Sequence, residues 1–508
     1  MNLMMLLEMA SSAFGDRVAI GSHDGSGITY QDLYNRSGRA SELLSQHGSE
    51  HVSLLDESSL ALPIALFGSS WAGLPFVPLN YRLASEDVVS LVERISPTFT
   101  IGDGESADLV IGSANINGVH LTNRSQFLKE TSEGNVPDPA WDMDPDDIAV
   151  LLFTSGTTGA PKAAVLRQSH LVSYILGSVE FMGAAENEAT LVSVPPYHVA
   201  GIAAMCSSIY AGRRIVQLPS FDANEWVTTV IKEEITHAMV VPTMLVRVVE
   251  ELERNPSLEL PTLKALSYGG GKMPKPVIEK ALELLPNTNF VNAYGLTETS
   301  STISVLGPDD HRAAFESSDP KVKARLASVG KPLPTLEVSI RDDNGNEVAS
   351  GISGEIWVRG EQVSGEYLGH GNRLTDEGWF PTNDGGSLDS DGYLFVEGRI
   401  DDIIIRGGEN ISPGEIEDVL LQHHNIRDAA AIGMPDTEWG EIIVALIVVS
   451  DNHSFEETEI LNFTKEHLRS SRTPDKIFVL DELPYNETGK LLRRVLKEQL
   501  SKQISPKD

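Results

Sequence analysis

The chain has 508 residues, enough for two to four domains with large cores, and its hydrophobic fraction of 41% is ordinary for a soluble globular protein. Its 73 Asp and Glu against 39 Lys and Arg give a net charge of −34, which argues against nucleic acid and against anionic membrane surfaces as partners. A single cysteine, Cys206, excludes an intrachain disulfide and suits a cytoplasmic setting; the apolar run Ile202-Ala-Ala-Met-Cys206 makes it buried filler rather than a nucleophile.

The opening segment Met1–Leu7 is apolar but has no basic start and is interrupted by Glu8, so it reads as a first amphipathic helix rather than a signal peptide. Leu60 to Leu79 lacks charges, yet Pro63, Pro75 and Pro78 make a buried helix followed by a strand the better reading than a membrane span. From Val18 to about Leu285 strand-like and helix-like patterns alternate. Ile148–Phe153 reads as a short buried strand, Ala238–Pro242 as a strand end and Val277–Leu285 as a helix, which together predict an α/β arrangement. Between Ser328 and Tyr393 short alternating runs, such as Leu336–Ile340 and Gly354–Arg359, are separated by turns, which predicts a small β-subdomain. After Gly398 the pattern is mixed again: Gly414–Gln422 and Glu456–Leu468 helical, Ala429–Ile432 and Ile442–Val449 strand-like. There is no internal repeat.

Chemistry concentrates in Thr154-Ser-Gly-Thr-Thr-Gly-Ala-Pro-Lys162. Such a loop can aim backbone N–H groups and hydroxyls at phosphate oxygens, with Lys162 adding a mobile positive charge. It is not a Walker A sequence, because Lys162 follows Pro161 and precedes Ala163; alone, it also reads as a Ser/Thr/Gly surface turn. Six further motifs follow in order: Pro196-Tyr-His-Val-Ala-Gly201, Asn292-Ala-Tyr-Gly-Leu-Thr-Glu-Thr299, Gly354–Gly360, Gly378-Trp-Phe-Pro-Thr-Asn-Asp384, Gly398–Asn410 and Pro484-Tyr-Asn-Glu-Thr-Gly-Lys490. Two segments mislead. Gly269-Gly-Gly-Lys272 faintly resembles a phosphate loop, but Met273 breaks the pattern and Lys272 is expected to face solvent. Asp384-Gly-Gly-Ser-Leu388 resembles a phosphopantetheine attachment site without the four-helix module such a site needs.

Together the seven motifs resemble the adenylate-forming superfamily of acyl- and aryl-CoA synthetases, peptide-synthetase adenylation domains and beetle luciferases, over nearly the whole chain. The resemblance implies an α/β fold: a large N-terminal domain (1–400) of two mixed β-sheets sandwiched with helices plus a small β-barrel-like subdomain, and a small mobile α+β C-terminal domain (402–508), hinged at Asp401. It implies ATP, Mg2+ and coenzyme A as reactants, with a carboxylic acid. Thr154, Ser155, Gly156, Thr157, Thr158, Gly159 and Lys162 would cradle phosphates. Glu298, with Thr297, would hold Mg2+. Gly269, Gly270, Gly271, Asn292, Ala293, Tyr294 and Gly295 would form the adenine site. Asp384 would meet the ribose and Arg399 the ribose or phosphate; Asn383 stands where the family usually has Gly, and Asn tolerates left-handed angles. Lys490 would bridge carboxylate and α-phosphate, His198 would gate the acid, and Gly407 and Gly408 would pass the pantetheine arm.

The expected reaction joins an acid to AMP, releasing pyrophosphate, and then to CoA. A medium- or long-chain fatty acid or an aryl acid is expected, because Tyr197–Cys206, Tyr268–Gly271 and Thr299–Val305, the expected pocket wall, are rich in small residues. The rivals are an enzyme loading a carrier protein and a nucleotide-binding regulator without turnover. A homodimer is compatible with the resemblance; nucleic acid and an integral membrane segment are not expected.

Overall fold

The apolar opening segment forms a helix, Met4–Phe14, that buries Met4, Leu6, Leu7 and Ala10. The charge-free stretch becomes a helix, Ala61–Ala72, with nearly every side chain buried. It stops at Gly73, whose φ of 69° gives the left-handed cap that ends many helices, and the chain continues into the strand Phe76–Pro78. This computed structural model describes residues 1–104, 107, 117–154, 161–450, 455–485 and 491–504. Among these residues no helix is long and apolar enough to cross a membrane.

The strands of the described residues make four sheets. The first, of nine strands, has Ala265–Gly269 between the parallel strands His237–Val240 and Asn289–Tyr294, with antiparallel strands at both edges. The second, of eight strands, runs parallel from Val119–Asn123 through Ile148–Thr154. It then turns back on itself in the hairpin Ile148–Thr154 / Lys162–Arg167. A four-stranded antiparallel sheet, Glu337–Arg341, Gly354–Arg359, Phe380–Leu388 and Leu394–Arg399, is the small β-subdomain. The last sheet has five strands and belongs to the small C-terminal domain. Pro242, read as a strand end, instead opens the helix Pro242–Arg254, where its missing N–H costs nothing.

Two-residue periodicity explains the C-terminal sheet. In Gly440–Val449, Ile443, Ala445 and Ile447 enter one core, and Val444, Leu446 and Val448 enter another on the opposite face. A strand buried on both faces must read as a continuous apolar run, which is how this one reads. Cys206 lies fully buried in the first large core, and burial pushes its thiol up to about 12, so it is inert at neutral pH.

Candidate active site

The parallel strands Ala265–Gly269 and Asn289–Tyr294 end side by side, with Gly269 opposite Ala293. Carboxyl ends of parallel strands are the usual ligand position in α/β sheets. A Cβ on Gly269 would stand 2.2 Å from the Ala293 carbonyl oxygen, and one on Gly295 only 1.6 Å from that of Ser301. Both glycines are therefore required by backbone meeting backbone, a reason unrelated to access for a base. Gly270 has φ +85°, and Gly270 and Gly271 are exposed. The Asn292 amide is occupied, donating to the Ser328 carbonyl at 3.3 Å. Tyr268, expected along the pocket wall, is buried in the helix-side core with its hydroxyl on His311 at 2.8 Å, so it lines no pocket.

Tyr294 reaches into the β-subdomain, and its hydroxyl donates to Asp384 Oδ2 at 2.7 Å. Burial first, and then the Asp384 charge, push the phenol well above its ordinary range, so it stays a donor. Asp384 pairs with Arg399 across the strands Phe380–Leu388 and Leu394–Arg399, and Arg399 Nε lies 3.1 Å from Oδ1. Thr382 holds the same strand: its hydroxyl accepts from the Asp384 N–H and donates to the Ile356 carbonyl, while its own carbonyl accepts from Arg399 at 2.9 Å. Asn383 has φ +61°, the conformation that a glycine would take freely. Its amide donates to Asp401 Oδ2 at 3.0 Å, a bond no glycine could make.

Glu298 lies in a tight turn, Thr297–Thr299, followed by Ser300 and Ser301 at φ +55° and +112°. Residues this strained persist only where their surroundings over-determine them. Here buried Gln362 donates to the Thr299 and Thr302 carbonyls at 3.0 and 2.8 Å, and Ser364 N–H donates to the Glu298 carbonyl at 2.8 Å. The Glu298 carboxylate accepts from Tyr367 at 2.5 Å, and the Lys162 ammonium lies 5.8 Å from the centre of the Tyr367 ring. Gln362, Ser364 and Tyr367 carried no signal in the sequence reading.

Ser155, Gly156, Thr157, Thr158 and Gly159 lie outside the described residues, but the stem of their loop is defined. Thr154 pairs with Lys162, and Arg94 donates to the Pro161 carbonyl at 2.5 Å while stacking on Phe153 at 5.0 Å. Among the described residues no group of three or more His, Cys, Asp or Glu could hold a metal unaided. One carboxylate, Glu298, with the Thr297 hydroxyl next to it, suits Mg2+ that takes its remaining ligands from nucleotide phosphates and water.

His198 precedes the helix Val199–Ala211, its ring 4.6 Å from that of Tyr197, which meets Tyr81 edge-on at 5.6 Å. Its Nε2 is buried without a hydrogen-bond partner among the described residues. Burial, then the Arg82 charge, hold its pKa down at about 4, so at neutral pH it is an uncharged imidazole.

Gly407 and Gly408 form an exposed turn of the C-terminal sheet with φ +58° and +81°, and the Gly407 N–H donates to the Trp439 carbonyl. Among the described residues no hydrogen bond or ion pair joins this turn to Glu298. Lys490 lies outside the described residues; Tyr485 and Leu491, on either side of its segment, form a β-bridge. Lys272 is exposed, as expected, but it also donates to Asp418 Oδ2 at 2.7 Å and to the Gly414 carbonyl at 2.8 Å, tying the large domain to the small one. Its local sequence held no hint of partners more than 140 positions away.

The AMP-binding enzyme family matches residues 7–368, and the AMP-binding enzyme C-terminal domain family matches 415–490. The chain belongs to the AMP-binding enzyme family. This AMP-binding enzyme is 32% identical to the 2-succinylbenzoate–CoA ligase of Bacillus licheniformis, over 95% of this chain and 96% of that protein. It is 28% identical to a fatty acid–[acyl-carrier-protein] ligase of Streptomyces coeruleorubidus, over 94% and 92%. Among solved structures, o-succinylbenzoate CoA synthetase from Bacillus subtilis with its acyl-adenylate intermediate superposes at a TM-score of 0.83, with 28% identity and 97% of each chain covered. The same enzyme has been solved with ATP and a magnesium ion. A nucleotide-binding regulator without turnover is set aside by this kinship.

Proposed function

We propose that this AMP-binding enzyme is an aryl-acid–CoA ligase. The reaction class is that of an AMP-forming acid–thiol ligase. A carboxylate oxygen of the acid attacks the α-phosphorus of ATP, the bond to pyrophosphate breaks, and acyl-AMP forms. The CoA sulfur then attacks the acyl carbon, the bond to AMP breaks, and the thiol proton leaves to solvent. Two anions meet in the first step, so positioning and charge neutralisation do most of the work.

The observation that carries the reading is a pair of hydroxyl-held carboxylates: Asp384 on Tyr294 and Arg399, and Glu298 on Tyr367, whose ring also faces Lys162. Asp384 is suited to a ribose diol because a carboxylate accepts more than once. Mg2+, when bound, neutralises phosphate charge. Glu298 would hold it, and Lys162 with the loop it closes would face the phosphates. In this reading Lys490 reaches the α-phosphate, Asp401 is the hinge between 1–400 and 402–508, and Gly407 and Gly408 admit the pantetheine arm. Support for an aryl acid comes from the 2-succinylbenzoate ligases among the relatives and from the aromatic wall of Tyr81, Tyr197 and neutral His198. The Streptomyces relative keeps a second reading open, in which the acyl group passes to a carrier protein.

The test is pyrophosphate release with Mg·ATP across aryl and fatty acids, with and without CoA. Aryl-dependent release with a thioester product is expected. Release without thioester moves the reading to carrier loading, and fatty acids outrunning aryl acids refutes the substrate class. Lys490→Ala should abolish acyl-AMP formation and still convert supplied acyl-AMP to thioester.

A further inference from the structure

Tyr367 has no place in the functional reading above except as a neighbour, yet it touches both charged groups that would meet the phosphates. It lies in a two-residue strand, Glu366–Tyr367, that pairs with the edge strand Lys162–Arg167. Tyr367 stands opposite Ala164, and the Leu368 N–H donates to the Ala163 carbonyl at 2.9 Å, so the backbone register sets its distance from Lys162. Next to it, Glu366 is gripped by Arg167 through both carboxylate oxygens at 2.7 and 2.9 Å, which fixes the short strand along the edge. The Tyr367 ring is buried, its hydroxyl donates to Glu298 Oε1 at 2.5 Å, and its face lies 5.8 Å from the Lys162 ammonium. The segment 364–367 therefore holds Glu298 twice, once at its main-chain carbonyl from Ser364 and once at its carboxylate from Tyr367.

We propose that Tyr367 is a positioning residue that orients the Glu298 carboxylate toward the metal of a bound Mg·nucleotide and sets it relative to Lys162. The proposal rests on the reading of Glu298 as the protein's metal ligand. The physical reason is geometric. A carboxylate on a short turn can rotate and offer either oxygen, or both, to a cation. A hydroxyl donating to Oε1 occupies that oxygen and leaves Oε2 to face the ion, the single-carboxylate arrangement that suits Mg2+ carrying phosphate and water ligands. Groups that orient a metal ligand in this way are worth 10- to 100-fold in metal affinity. The ring's negative face offers the Lys162 ammonium a resting place other than the carboxylate, so that neither charge is spent on the other before the phosphates arrive.

The experiment uses the full chain with Mn2+ as the spectroscopic probe. Free and bound Mn2+ are resolved by electron paramagnetic resonance in the presence of ATP, and ATP affinity without metal is measured by calorimetry in a chelator. Tyr367→Phe keeps the ring and removes only the hydroxyl. It should weaken Mn2+ binding in the ATP complex by about 10-fold or more and leave metal-free ATP affinity within about twofold, a split that a general loss of structure would not produce. Unchanged Mn2+ affinity in Tyr367→Phe overturns the proposal, as does an equal loss with and without metal. Glu298→Gln separates the two readings. If it binds Mn2+ like the parent, Glu298 is not the ligand and the underlying reading fails. If it loses Mn2+ while Tyr367→Phe does not, Tyr367 alone is wrongly assigned. Should Tyr367→Phe not fold, Tyr367→Leu removes the donor in a different side chain, and a Mn2+ affinity equal to the parent's there overturns the proposal.

Discussion

Replacing Tyr294 by Phe deletes one hydroxyl and keeps the ring packed against the β-subdomain core. The lost bond is the 2.7 Å donation to Asp384, a buried carboxylate that retains Arg399 at 3.1 Å. A hydrogen bond to a charged group is worth about 1.5–3 kcal/mol net, and each 1.4 kcal/mol is about tenfold in an equilibrium constant. Arg399 and the Thr382-held backbone keep Asp384 in its strand, so the loss should fall mainly on the carboxylate's orientation toward the ribose. Calorimetry with ATP and 2′-deoxy-ATP reads this directly. The parent should prefer ATP. Tyr294→Phe should bind ATP about tenfold more weakly, lose most of its preference over the deoxy compound, and keep its unfolding midpoint within a few degrees. A variant with full affinity and full ribose discrimination would refute the assignment of Tyr294 and Asp384 to one ribose-facing pair.

Half-buried His170 and His198 and buried His311 each have a pKa held at about 4 by desolvation first, against 6.5 when unfolded. The unfolded chain therefore binds more protons between those values, so stability should be full above pH 6.5 and fall as pH drops toward 4; urea midpoints flat from pH 7 to 5 would contradict this. Arg94→Ala removes the grip on Pro161 and Phe153 at the stem of the Thr154–Lys162 loop and should raise the KM for ATP several-fold with a smaller change in kcat, partly restored in Arg94→Lys. Steady-state kinetics checks it, and equal loss in both parameters would point to misfolding instead. Asn383→Gly should keep stability within about 1 kcal/mol, because Gly accepts the left-handed angle. It should also speed transfer of supplied acyl-AMP to CoA by cutting the tie to Asp401; an unchanged single-turnover rate would show that the tie is no brake.

Elements were legible where a local pattern decides the outcome. The strand at Ile148–Thr154, the helix at Ala61–Ala72 and the doubly buried Gly440–Val449 follow from apolar runs bounded by Gly and Pro. The left-handed angle at Asn383 was also legible, since only a few residue types tolerate it. What stayed hidden are contacts made by packing between distant segments. Tyr367 meets Glu298 across 69 positions, Lys272 meets Asp418 across 146, and Arg94 meets Pro161 across 67. No window of sequence contains both partners of any of these pairs. Tyr268 misled for the same reason: its neighbours in sequence line the strand end, while its own ring follows the strand's alternation into the opposite core.

A chain with a net charge of −34 that must receive polyanions needs its acids controlled where the nucleotide docks. Asp384 has a cation beside it, Arg399 at 3.1 Å, whereas Glu298 has no cation paired to it among the described residues. Each is held by a tyrosine hydroxyl, Asp384 by Tyr294 and Glu298 by Tyr367. A neutral donor orients a carboxylate without neutralising it, which leaves Glu298 free to meet a cation and Asp384 its remaining acceptors for hydroxyl groups. Lys162 correspondingly lies over a ring and, among the described residues, in no ion pair, so its charge too remains available. A cation paired directly to Glu298 would make that part of the site more neutral and a weaker receiver of Mg2+. The acidic excess can then lie on the solvated surface without disabling the chemistry, because the local field is set by which partners the central charges are denied.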